Sequence, residues 1–232
     1  MKLTCFGHSC FSVEVGGTAL LFDPFVTPNE LAHGVDVAAI RADVLLISHG
    51  HFDHIADAAA VALRTGAPVI ANFEIAEWLG RQGIGKTHPM NLGGEFAFPF
   101  GRVKMVPALH SSVLPDGTYG GNPGGFVVRA PEGAFYYAGD TALTLDMKLI
   151  PEEGAVDFAV LPIGDNFTMG AKDAARAAKI LGVRQVVGVH YNTFPPIRIA
   201  TDEAQRVFED VGIQLLLPAI GECVEIRVSR KA

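Results

Sequence analysis

Five short, largely apolar runs of this chain each stop at a histidine or an aspartate. Ala19 to Phe22 ends at Asp23, Val44 to Ser48 at His49, and Val103 to Leu109 at His110. Phe135 to Gly139 ends at Asp140, and Val186 to Val189 at His190. Runs of this length read as strands. The ends of strands on a rigid sheet are where α/β proteins build their sites: the sheet fixes geometry and the loops supply chemical groups.

Other segments fit this reading. Leu3 to Phe6, Phe11 to Val15, Pro68 to Ala71, Phe96 to Phe98, Phe126 to Val128 and Phe158 to Pro162 read as further strands. Ile213 to Leu217 and Cys223 to Val228 read as closing strands. Ile55 to Arg64 is Ala-rich and followed by Gly66, a helix with a glycine stop. Phe73 to Leu79, Lys172 to Leu181 and Thr201 to Val211 are expected as helices. Strands in series, then helices between strands, predict an α and β domain with helices covering sheet faces.

Composition narrows the function classes. The 232 residues are 49% hydrophobic and 19% charged, which excludes disorder and allows a core without disulfide or metal staples. One domain over 1–232 is expected. The net charge of −7 argues against a general nucleic-acid or anionic-membrane binder. Cys5, Cys10 and Cys223 form no CxxC pair, which suits a reducing cytoplasm. The opening MKLTCFGHSC lacks the apolar stretch of a signal peptide, and no run approaches the roughly 18 apolar residues of a membrane span.

The densest chemistry lies in His49-Gly50-His51-Phe52-Asp53-His54. Four residues of metal-ligand type fall at a strand-to-helix turn, where Gly50 permits a tight backbone. His49 and His51 can turn toward one ion, and Asp53 and His54 toward a second. A chance HxHxDH is roughly a one-in-two-thousand event at this composition. Helix capping by Asp53 would explain one residue of the four. Imidazole and carboxylate donors suit Zn²⁺, with Mn²⁺, Fe²⁺ and Ni²⁺ as alternatives.

HGHFDH, followed by a lone His, a lone Asp and a lone His at strand ends, resembles the metallo-β-lactamase superfamily over essentially the whole chain. GHSCF, LFDPF, THPMNLGG, HSS, YYAGDT, LPIGDNFTMG and HYNTFP resemble a bacterial and archaeal branch of metal-dependent hydrolases, with L-ascorbate-6-phosphate lactonases as nearer relatives. The resemblance implies an α/β, four-layer αββα sandwich with two metals at one edge of the sheets. It implies that His49, His51 and His110 hold the first metal, that Asp53, His54 and His190 hold the second, and that Asp140 bridges them. Two ions about 3.5–4 Å apart would then share a hydroxide as nucleophile. Asp53 would ligate and orient that hydroxide. The reaction implied is hydrolysis of a small-molecule ester, lactone or amide. A phosphodiesterase or nuclease is the alternative within the fold, and a non-catalytic metal-binding protein is the alternative outside enzymes.

Weaker signals surround this core. His8 either faces the site as an acid or substrate ligand, or is a packed turn residue. Asp23 is expected to orient a ligand histidine rather than bind metal. Asp165, Asn166 and Met169 form either a substrate rim or a plain polar loop, and Tyr191 and Asn192 are candidates to reach substrate. His88 reads as a loop residue and His33 as surface. Gly120 to Gly125 lacks the Gly-Lys-Ser/Thr ending of a phosphate loop and reads as a flexible turn. Cys5 and Cys10 read as core thiols and Trp78 as helix packing. The partners expected are a small-molecule substrate and a second copy of the chain, with no nucleic acid and no membrane.

Overall fold

The computed structural model describes residues 1–228. Strands β1 (Lys2–Gly7), β2 (Cys10–Val15) and β3 (Thr18–Phe22) form an antiparallel meander. Strands β4 (Val44–Leu46), β5 (Val69–Asn72) and β6 (Thr87–Met90) then add in parallel beside β3. Helices α1 (Phe52–Ile55), α2 (Ala58–Thr65) and α3 (Phe73–Arg81) lie in their connections.

The second sheet follows the same scheme. β7 (Glu95–Phe98), β8 (Gly101–Pro107), β9 (Gly124–Ala130) and β10 (Gly133–Tyr137) are antiparallel. β11 (Phe158–Pro162), β12 (Gln185–Val189) and β13 (Gln214–Leu216) continue in parallel. Helices α4 (Leu149–Glu152), α5 (Ala171–Leu181) and α6 (Thr201–Glu209) belong to this half. Strand β14 (Cys223–Glu225) returns to pair with β1. Two seven-stranded sheets result, ordered β14-β1-β2-β3-β4-β5-β6 and β13-β12-β11-β10-β9-β8-β7.

Strand alternation sorts the side chains into three apolar layers. Phe11, Val13, Leu20, Phe22, Phe135, Tyr137, Phe158 and Val187 meet between the two sheets. Leu21, Leu45 and Val69 point the other way and meet Ile55, Val61 and Ile75 from the first set of helices. Tyr136, Ala159, Leu161 and Val186 meet Ala174, Ala178 and Phe208 from α5 and α6. The layers therefore run helix, sheet, sheet, helix, the αββα sandwich implied by the resemblance. No helix among the described residues is long and apolar enough to cross a membrane.

Two local expectations need correction. The helix expected over 55–64 is two helices, broken at Ala56-Asp57. The buried Asp57 carboxylate accepts the Val26 and Thr27 amides at 2.7 and 2.9 Å, so it serves the preceding loop rather than a continuous helix. The expected glycine stop holds: Gly66 caps α2 in the left-handed conformation, at φ 69°. His88 lies in strand β6, not in a loop. Pro89 hides this strand from a sequence reading, and it is tolerated because β6 is an edge. The His88 ring packs on Phe96 and Phe98 at 4.4 and 4.8 Å, joining the edge strands of the two sheets.

Candidate metal centre

The ends of β3, β4, β8, β10 and β12 bring Asp23, His49, His110, Asp140 and His190 together, and α1 adds Asp53 and His54. His49, His51 and His110 can each offer a nitrogen within 4.8 Å of the others. His8, Asp53, His54 and His190 form a second group by the same measure. Asp140 lies between them. Its Oδ2 is 3.9 Å from His49 Nε2 and 3.7 Å from His110 Nε2 on one side. On the other it is 3.3 Å from His54 Nε2 and 2.9 Å from His190 Nε2.

This donor set fits a divalent cation. Zn–N bonds of about 2.0–2.1 Å put tetrahedral donors about 3.3 Å apart. His49 Nε2 and His51 Nδ1 are 3.0 Å apart, close to that spacing. Asp140 Oδ1 and His54 Nε2 are buried with no hydrogen-bond partner, although His54 Nε2 lies beside Asp140 Oδ2 without hydrogen-bond alignment. Leaving such atoms unpaired costs about 1–3 kcal/mol each, which a bound cation would offset.

Hydrogen bonds on the far side of the rings fix which nitrogen faces inward. His54 Nδ1–H donates to Asp23 Oδ2 at 2.7 Å, leaving Nε2 toward the cluster. Ser48 Oγ donates to the same oxygen at 2.5 Å and stands 3.0 Å from His49 Nδ1. Tyr137 donates to it at 2.6 Å, and Asp23 Oδ1 accepts the Ser48 amide at 2.7 Å. Asp23 is fully buried and accepts four hydrogen bonds, three on Oδ2 and one on Oδ1, and with His49 and His54 it forms a third group whose atoms lie within 4.8 Å of one another. His51 differs from the others: its Nδ1 points inward and its Nε2 lies 3.3 Å from Ser111 Oγ.

The backbone is bent to make these placements. His8, Asp23 and His190 have positive φ, at 54°, 39° and 55°. Such a conformation costs about 1–2 kcal/mol in a non-glycine residue and concentrates at functional sites. Gly139, with φ 61°, precedes Asp140; a Cβ there would stand 2.7 Å from Gly124 O. Only glycine lets this strand end approach so closely.

Electrostatics divide the histidines. Burial holds His49, His51 and His110 below the ordinary imidazole range, so they are neutral donors. Burial also opposes charge on His54 and His190, but the Asp140 carboxylate outweighs it. His54 is raised well above its ordinary value and His190 is pushed up to about 9. Burial works against ionised Asp140 and Asp53 as well. His54 and His190 nevertheless hold Asp140 well below the carboxylate range, and His190 and His8 hold Asp53 below it.

Several candidates fall elsewhere than the mouth of the cluster. His8 is buried, its Nε2 3.0 Å from Asp53 Oδ2 and its Nδ1 2.9 Å from Thr193 Oγ1. Burial lowers its pKa to about 4, so the neutral ring donates to Asp53 from behind. Asp165 and Asn166 are exposed, and Asp165 lines a cleft of about 620 Å³ with Lys172 and Arg198. Among the described residues, no hydrogen bond or ion pair links either to the histidines. Met169 is buried in the core. Tyr191 packs partly buried against that core, and Asn192 Oδ1 accepts the Ile199 amide, closing its own loop.

Some participants were not singled out from the sequence. Ser112 Oγ accepts the Gly50 amide at 3.0 Å and donates to Gly120 O at 2.9 Å. Asn72 caps α3 and donates to Gly120 O and Asn122 O. Trp78 Nε1–H holds Asp116 at 2.7 Å, so this ring also anchors the loop. The Gly-rich segment is thus pinned across the His49–His51 turn, not free. The HSS motif places Ser112 two residues after His110, the one sequence signal that marks it.

Fold and cluster together define an αββα protein with a candidate metal centre, and comparisons with known proteins say which family it belongs to. The family described as "Beta-lactamase superfamily domain" matches residues 18–191. A "UPF0173 metal-dependent hydrolase" of Methylacidiphilum infernorum (isolate V4) is 52% identical over 222 residues, covering 96% of this chain and 98% of that protein. The solved structure of Igni18, a novel metallo hydrolase from the hyperthermophilic archaeon Ignicoccus hospitalis KIN4/I, is 37% identical with a TM-score of 0.87; the match covers 96% of this chain and 97% of that one. The metallo-beta-lactamase fold protein YhfI from Bacillus subtilis shares the fold at 16% identity, with a TM-score of 0.74 over 97% of this chain and 99% of that one. The chain belongs to the metallo-β-lactamase superfamily and, within it, to the UPF0173 metal-dependent hydrolases.

Proposed function

We propose that this chain is a binuclear hydrolase of the ester, lactone or amide bond of a small molecule. The observation that carries the reading is Asp140 Oδ2, placed within 3.9 Å of imidazole nitrogens from both histidine groups. His49, His51 and His110 would hold one cation, Asp53, His54 and His190 the other, with Asp140 shared. The nitrogen and oxygen donors favour Zn²⁺, with Mn²⁺, Fe²⁺ or Ni²⁺ as substitutes. When bound, such cations supply an activated water at neutral pH and a polarising charge for a carbonyl oxygen.

The chain's own residues supply the rest. Asp53 is the carboxylate open to an incoming molecule: its side chain is 24% exposed, against 2% for Asp140 and 0% for Asp23. His8, locked between Thr193 and Asp53, fixes the direction of that carboxylate. Asp23, itself held by Ser48 and Tyr137, takes the outward Nδ1 of His54, and Ser48 takes that of His49, so that each Nε2 is aimed inward. Among the described residues, no lysine or arginine is hydrogen-bonded or ion-paired to the cluster. The unpaired cysteines support a reducing, cytoplasmic setting.

A substrate panel tests this. Metal-loaded protein is expected to turn over lactones and esters faster than bis(p-nitrophenyl) phosphate or short RNA. Faster phosphodiester cleavage would overturn the substrate class. Metal uptake without turnover of any panel member would make the chain a binding protein.

A further inference from the structure

Resting on the hydrolase reading above, we propose that Phe52 and Phe194, backed by Phe25, form the wall that receives an apolar substituent of the substrate. Three phenyl rings group beside His8. Phe25 and Phe194 each meet the His8 ring edge-on at 5.4 Å. Phe52 meets Phe25 at 5.9 Å, and Phe194 lies 6.2 Å from it. His8 in turn touches Asp53, the partly exposed carboxylate of the cluster.

Exposure separates packing from function along this row. Phe25 is 2% exposed and closes the core. Phe52 is 54% exposed although it stands between His51 and Asp53, and Phe194 is half-buried. A single exposed phenyl needs no explanation. Rings in contact that begin beside a polar cluster and end at solvent match the make-up of small-molecule sites, apolar walls with a few fixed polar groups. Phenyl rings at this place select a molecule with a hydrocarbon or aromatic arm beside its hydrolysable bond.

The probe is a series of alkyl hydroxamates, acetohydroxamate to octanohydroxamate, titrated into metal-loaded protein. In the wild type, affinity should rise by about fourfold for each methylene brought against the wall. The ratio of octano- to acetohydroxamate affinity should collapse in Phe52→Ala and Phe194→Ala. Phe96→Ala, an exposed phenyl on an edge strand, should keep the wild-type ratio. A wild-type ratio near one, or a ratio that survives both substitutions, overturns the wall. Length-dependent binding without hydrolysis of any ester, lactone or amide would overturn the hydrolase reading and leave the wall standing.

Discussion

Asp140→Asn is expected to lower turnover by about a hundredfold or more while leaving the fold in place. The substitution keeps the size of the side chain and removes one negative charge. That charge sits, 2% exposed, among His49, His54, His110 and His190. An amide supplies no second carboxylate oxygen to share between two cations, so the weaker site should empty first. Losses of this size are typical where a group stabilises transition-state charge. The fold should survive because three apolar layers hold the sheets and helices together. Circular dichroism, metal content and turnover are measured together on wild type and variant. A variant with full metal content and wild-type turnover would remove Asp140 from the bridging role.

Asp23→Ala is expected to weaken metal affinity by about 10- to 100-fold and to destabilise the chain. The carboxylate accepts from His54 Nδ1, Ser48 Oγ, Tyr137 Oη and the Ser48 amide. Its loss strands buried donors, at about 1–3 kcal/mol each where no water enters. It also frees the His54 ring to flip or change tautomer. Burial and the Asp23 charge raise the Tyr137 pKa, so in the wild type the phenol stays a donor. Thermal melting with and without metal separates the two effects. Unchanged metal affinity would show that Asp23 is purely structural.

The metal cluster is legible in the sequence because each member ends an apolar run or falls in the one dense motif. Strand ends need no long-range information: the run, its length and the final His or Asp are local. The supporting groups are a different matter. Tyr137 reaches Asp23 from 114 residues away and from the other sheet. Nothing local marks a phenol among core aromatics as a hydrogen-bond partner. Asp57 breaks a helix that local propensity would continue, because two loop amides compete for its carboxylate. Strand β6 escapes detection since Thr-His-Pro-Met has neither alternation nor β-branched density. His8 is visible as a turn residue, but its position behind Asp53 depends on Thr193, 185 residues on.

The common scheme of the two sheets is equally hidden. Each sheet has antiparallel pairings on one side of β3 or β10 and parallel pairings on the other. No short-period repeat in the sequence announces this. Pairing depends on alternating burial, which many sequences satisfy, so topology can recur without recurrence of residues.

The central claim is that the cluster holds two divalent cations. Titration of metal-stripped protein with Zn²⁺ by calorimetry at pH 7.5, in buffers of different ionisation enthalpy, tests it most directly. His190, with a pKa of about 9 in the metal-free protein, and His54, raised above its ordinary value, carry protons that a cation must displace. The account predicts two Zn²⁺ per chain, net proton release on binding, and apparent affinity that falls as pH is lowered. A folded protein that takes up one cation or none, with no protons released, would contradict it.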